Sequence, residues 1–168
     1  MPHDHALPAQ LETARPSGLR WHRRCACLTV AVGIAAACPR ADGAPAGAIS
    51  VRLYGLRSTQ GQVGCTLFNS AAGFPTDPAA ALQRRWCPIA SATGTPCVFD
   101  PVPPGVYAIA CFHDENNNSR LDRGLFGIPT EGTAASNDAR GTMGPPSFDK
   151  AKFTFLGAPA TLALRMVY

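Results

Sequence analysis

The sequence predicts an all-β fold, an antiparallel Greek-key β-sandwich of about seven strands. Three observations lead there. Apolar and polar residues alternate with a period of two in four separate runs. Proline and glycine number 16 each in 168 residues, a density that favours many turns over long helices. A single stretch, 78–84 (PAAALQR), reads as helical, for about two turns with Pro78 at the first position.

Taken in order, residues 48–57 place Ile49, Val51 and Leu53 on one face, with Ser50, Arg52 and Tyr54 on the other. Residues 62–69 gather Val63, Cys65 and Leu67. The runs 85–90 and 96–102 read as a hairpin around the turn-like SATG, and Pro88 and Pro96 push it toward a sheet edge. Residues 106–112 (VYAIACF) are apolar on both faces, as a central strand should be. Residues 152–156 turn Phe153 and Phe155 inward and Lys152 and Thr154 outward. The last run sets Leu162, Leu164, Met166 and Tyr168 against Thr161, Ala163 and Arg165. Trp86 and Phe74 read as packing residues. With 46% hydrophobic residues the chain can bury one ordinary core, so a single sandwich domain is expected over 47–168.

Residues 1–46 read as an N-terminal extension plus signal peptide, removed or disordered in the mature protein. Arg20, Arg23 and Arg24 precede the apolar run 25–38, and small residues follow to Ala48. The run is well short of the roughly 20 residues that span a bilayer. Cleavage after Ala37 or Ala46 would export the chain to the periplasm or the extracellular space, with no transmembrane span. Cys38 after A-A-A offers an alternative, lipid anchorage at the outer membrane, and the paired arginines offer a twin-arginine signal. A short buried helix is the bland alternative.

Seven cysteines become four (Cys65, Cys87, Cys97, Cys111) once the leader is gone. An even number in an exported domain points to two disulfides, with three possible connectivities. The SATG hairpin would set Cys87 opposite Cys97, leaving Cys65 with Cys111. Buried reduced thiols are the alternative. From Gly47 onward ten Lys and Arg stand against eight Asp and Glu, a net +2 without a basic stripe. That distribution excludes nucleic acid as a partner.

The candidate site is the stretch 113–149, dense in Asp, Asn, Gly and Pro and without helix or strand periodicity. A loop this long in a compact domain is functional or disordered. Leu121, Leu125, Phe126, Ile128, Met143 and Phe148 supply anchors that favour order. Asp114, Asn116, Asn118, Arg120 and Asp122 form D-x-N-x-N-x-R-x-D, the spacing of the first nine positions of an EF-hand loop. Side chains at positions one, three, five and nine and a carbonyl at seven would offer oxygens to calcium. Ser119 stands at the sixth position where Gly is usual, and Leu125 at the twelfth where Glu is usual, with Glu115 or Glu131 as substitutes. The alternative is a knot of Asx turns in which the same side chains cap backbone amides. No cofactor besides calcium is implied.

His113 is the one histidine after the leader, so a triad would use it with Ser136 or Ser147, although neither serine sits in G-x-S-x-G. Asp114, Asp122 and Glu131 could form an acid/base pair. The bland reading has the His113 imidazole bonded to loop backbone.

The segment FDPVPPGVYAIACFHDENNNSRLDRGLFGIPTEG, followed by SNDARGTMGPPSFDKAKF, resembles a bacterial exported family known as a domain of unknown function, DUF2141. The signature is L-P-x-G-x-Y-A, an apolar run, H-D-E-N-x-N-x-x-L-D, then G-I-P-x-E-G, S-N and G-P-P-x-F. It covers about 49–168. Asn117 and Ser119 stand where the family tends to Gly, and 133–135 where it tends to an aromatic residue. The P-P-G-V-Y turn is similar to transthyretin-like and carboxypeptidase-regulatory sandwiches. The ending R-M-V-Y departs from the Y-R-G-S of hydroxyisourate hydrolases, and one histidine is too few for an intradiol dioxygenase. The resemblance implies an exported β-sandwich, which the residues themselves lead us to read as non-enzymatic. It would bind a ligand, a divalent cation or an envelope component through His113, Glu115, Glu131, Ser136, Asn137 and their neighbours. A small hydrolase using His113 with Asp114 or Glu131, and an envelope assembly module, are the alternatives.

Overall fold

A computed structural model of the chain describes residues 46–168. The expectations placed on the leader, including the run 25–38 and Cys38, lie outside them. Eight strands form two facing sheets. Strands β1 (Gly47–Tyr54), β4 (Thr95–Val102) and β8 (Ala160–Arg165) make a three-stranded sheet in the order β4-β1-β8. Strands β2 (Gln62–Phe68), β3 (Gln83–Pro88), β5 (Gly105–Asp114) and β6 (Thr133–Ala135) run β3-β2-β5-β6, and β7 (Phe153–Phe155) pairs with the start of β5.

Alternation places the core as expected. Ile49, Val51 and Leu53 of the first sheet meet Val63, Cys65, Leu67, Ile109 and Cys111 of the second, all buried. Excluding each such side chain from water contributes about 1.5–3 kcal/mol before entropy is counted. A smaller cluster (Ala108, Ala135 and Ala151, with Phe74 and Phe148 against it) covers the outer face of the second sheet. There Phe68, Phe74 and Phe148 stack edge to face, with centroids 5.3 and 5.8 Å apart. The Tyr107 hydroxyl donates to the Pro103 carbonyl at 2.9 Å, tying the P-P-G turn to its strand.

Four expectations need correction. The sheets are not wholly antiparallel, since β1 and β8 run parallel from Ile49↔Ala160 to Tyr54↔Arg165. The chain between them is long enough to supply the crossover that parallel pairing requires. The helix expected at 78–84 shrinks to a 3₁₀ turn at Pro78–Ala80. Two turns are a marginal helix, and the sheet captures the chain instead: the Leu82 amide donates to Leu67 O at 2.8 Å, and β3 starts at Gln83.

The expected hairpin is an arch. β3 and β4 are edge strands, but of different sheets, because β2 takes the ladder of β3 and β1 that of β4. Cys87 and Cys97 both point inward, so their disulfide joins sheet to sheet. Arg85 donates to Val98 O and Asp100 O, both at 3.2 Å, and Gln83 to Pro101 O at 2.7 Å, which laces the same open side. The Cys65–Cys111 disulfide spans a directly opposed pair of β2 and β5. Finally, 113–149 is not irregular throughout. It contributes the end of β5, the short strand β6, and the start of an α-turn at Phe148–Ala151.

The two disulfides close 46 and 10 residues. Chain entropy then assigns about 4 kcal/mol to Cys65–Cys111 and about 3 kcal/mol to Cys87–Cys97. Urea unfolding of the paired Cys→Ala variants should rank them in that order, and the reverse ranking would contradict the entropic account.

Candidate functional site

Strand β5 sends consecutive side chains to opposite faces, so His113 enters the core while Asp114 reaches the outer face. The His113 ring is fully buried. Its Nε2 lies 2.7 Å from Gln60 O and its Nδ1 2.6 Å from the Tyr168 hydroxyl. A carbonyl only accepts, so the proton sits on Nε2 and the tyrosine donates to Nδ1. That hydroxyl in turn accepts the Arg57 amide at 3.0 Å, and burial pushes it up, keeping it a donor. Gly61 (φ 78) makes this approach possible, because a Cβ there would run into the Asp114 backbone.

Beside this pair the Arg57 guanidinium forks onto Glu115 (2.8 and 2.5 Å) and lies over the Tyr168 ring, 4.4 Å from its centroid. It also donates to Thr130 O at 3.2 Å. Its hydrogen bond holds the Glu115 carboxyl below the usual carboxylate range.

Asp114 and Glu131 are buried, and all four of their carboxylate oxygens face N–H donors. Asp114 Oδ1 accepts the Asn118 amide, and Oδ2 accepts the Ser119 amide and Gln62 Nε2, each at 2.9 Å. Glu131 Oε1 accepts the Glu115 amide and Oε2 the Asp122 amide, both at 2.9 Å. Between them, Asn116 Oδ1 takes the Asn118 amide (3.1 Å) and Asn118 Oδ1 the Arg120 amide (2.8 Å). Their Nδ2 groups donate to the two oxygens of Asp122, at 2.7 and 2.9 Å. Asn117 and Ser119, at the fourth and sixth positions, take left-handed φ of 59° and 62°. Arg120 contributes its backbone, and its side chain is exposed.

Ser136 is equally committed. Its buried Oγ accepts the Ile109 amide at 2.9 Å and donates to Ala151 O at 2.6 Å. Asn137 Nδ2 donates to Lys152 O at 2.9 Å. Together they staple the returning loop to β5 and to the segment just before β7. Ser147 is exposed, immediately before the α-turn. Among the described residues no three His, Cys, Asp or Glu side chains gather as a metal site, and no buried side-chain polar atom lacks a partner.

The residues expected to anchor the loop behave differently. Phe148 packs in the outer cluster and Leu121 is half-buried. Leu125, Phe126, Ile128 and Met143 are 83, 97, 64 and 101% exposed. Polar groups do the anchoring. Sequence reasoning missed Gln60, Gln62, Arg57 as the partner of Glu115, and Tyr168 as the partner of His113. Each is remote in the chain, and only the glycine at 61 hinted at a close approach.

Two outcomes follow. Asp114→Ala orphans three donors and should cost about 3 kcal/mol, with faster hydrogen exchange at the Asn118 and Ser119 amides; unchanged exchange there would contradict the knot. The Glu115–Arg57 pair, whose folded carboxyl lies below the ordinary value of 4.5, contributes above that pH and loses its contribution as pH falls through the depressed value. The effect is small because Arg57 is half exposed. Acid unfolding of Glu115→Gln should therefore show a shallower loss below about pH 4.5.

The profile of a family described as an uncharacterized protein conserved in bacteria (DUF2141) matches residues 51–162, from within β1 into β8 and across the whole 113–149 loop. No curated protein and no solved structure showed significant similarity to the chain. With two thirds of its length matched, including the polar knot and both disulfides, the chain belongs to the DUF2141 family.

Proposed function

We propose that this protein is an exported, non-enzymatic β-sandwich of the transthyretin-like kind that presents the 113–149 loop as a preformed binding surface in the cell envelope. One observation carries the reading. The acids and the histidine of the loop are spent on holding its shape, while its apolar tip faces solvent. A hydrolase would need His113, Asp114 or Glu131 to meet substrate. Here the imidazole is buried with both nitrogens engaged, and the two carboxylates are filled by N–H donors. The leader sequence supports export, as does the presence of two disulfides. The turn secured by Tyr107 supports the transthyretin-like assignment, from which no activity follows.

A second reading is favoured by Ser119. It holds the left-handed conformation that glycine provides at the sixth position of an EF-hand loop. Under it, calcium would draw on Asp114, Asn116, Asn118 and Asp122 and the carbonyl of Arg120, replacing the amide bonds that now fill Asp122.

Photo-crosslinking in the envelope tests the first reading. Benzoylphenylalanine at 126 should give products, whereas the same probe at the exposed sheet position 98 should not. Products from both positions or from neither would overturn it. Calorimetry tests the second: a saturable calcium heat, lost in Asp114→Ala and Asp122→Ala, would establish it, and a flat titration would remove it.

A further inference from the structure

Beyond the knot, the loop spends backbone strain on exposing apolar surface. Leu125, Phe126 and Ile128 stand in solvent around a turn in which Phe126 has φ 61, a conformation that bulky side chains avoid. Beside it, a Cβ added to Gly127 would meet nothing within 4 Å, so the turn stands clear of the body. Yet the turn is braced. The Gly124 amide donates to Ile128 O at 2.8 Å and the Thr130 amide to Asp122 O at 3.0 Å, and Arg123 bridges to Pro129. Folding alone gives no reason to keep phenylalanine here.

We propose that this knuckle inserts into the headgroup region of an anionic lipid bilayer, with Arg123 and Arg120 at phosphate level. The inference deepens the reading of the loop as a presented surface and rests on it. The shape is convex, so it fills rather than receives. Three side chains on one turn also fall short of the roughly 800 Å² that each partner contributes to a specific protein interface. Charge selects the occupant. Arg123 Nη1 donates to Gly127 O at 2.9 Å, which seats the guanidinium against the tip, and Arg120 is exposed in the same loop. The acids nearby are engaged by amide N–H groups or, for Glu115, by Arg57. An apolar tip with the Arg123 guanidinium seated against it matches an interfacial anchor on acidic lipid. No helix among the described residues is long and apolar enough to cross a membrane.

The test uses the purified chain with vesicles of phosphatidylglycerol and phosphatidylethanolamine, and with phosphatidylcholine vesicles as the neutral control. A Phe126→Trp variant should shift its emission to the blue on the acidic vesicles and be quenched by brominated acyl chains. Phe126→Asp should weaken co-sedimentation at least about tenfold, and Arg120→Glu should weaken it on acidic vesicles alone. Because the tip packs on nothing, these variants should melt like the parent. Phe126→Gly should relieve the strained backbone and raise Tm while still losing vesicle binding. Undiminished binding by Phe126→Gly, or no binding of the parent to acidic vesicles, would overturn the proposal. Equal binding to neutral vesicles would overturn the role of the arginines. Crosslinks from position 126 to protein, without vesicle binding, would sink the lipid assignment and leave the presented-loop reading standing; no crosslinks at all would sink both.

Discussion

Two carboxylates out of reach of water, Asp114 and Glu131, hold the long loop of this molecule to its sandwich. A buried carboxylate is tolerated only when its lone pairs are filled. Here the donors are three for Asp114 and two for Glu131, and four of the five are backbone amides of the loop itself. Burial of the charge and the fold of the loop therefore depend on each other. Charge-assisted bonds of this kind contribute about 1.5–3 kcal/mol each. That is enough to order a segment with few apolar contacts.

Strand β5 makes this arrangement possible. Its inward residues Tyr107, Ile109 and Cys111 belong to the core, so the strand from which the loop departs is packed into the sandwich. The two last positions then split the work. Asp114 faces outward and organises the knot, while His113 faces inward and closes a latch with Tyr168 and Gln60. Arg57 joins the two systems by bonding Glu115 and Thr130 while covering the Tyr168 ring. The connection between β1 and β2, the end of β5 and the residues after β8 are thereby locked at one end of the sandwich. At the loop's return, Ser136 and Asn137 repeat the device with the Ile109 amide of β5 and with backbone carbonyls of the segment before β7.

Such a design places titratable groups in structural service and leaves apolar side chains exposed. Polar residues that look catalytic in one dimension turn out to be fillers of each other's hydrogen-bonding capacity. Apolar residues that look like anchors are what the loop displays. The division is physically sensible. A protruding turn cannot reach the core, so only short-range polar bonds can stiffen it, and its apolar side chains are left to meet something else.

Side-chain facing along an extended chain is local, which is why alternation located β1, β2, β7 and β8 with their inward residues, and a run apolar on both faces located β5. Asx turns are local too, so D-x-N-x-N-x-R-x-D marked the knot, and cysteine parity pointed to two disulfides, while their pairing as Cys65–Cys111 and Cys87–Cys97 came from the assembled sheets. Pairing is not local. The parallel union of β1 with β8, the arch between β3 and β4, and the capture of Leu82 by β2 depended on which edges were free once the sheets assembled. The site divides in the same way. Its acids and amides were visible in the sequence, but Gln62 lies 52 residues from Asp114, Tyr168 55 from His113 and Arg57 58 from Glu115. Tertiary structure alone brought those partners within reach and decided that the loop's polar residues would bond inward while Phe126 faced out.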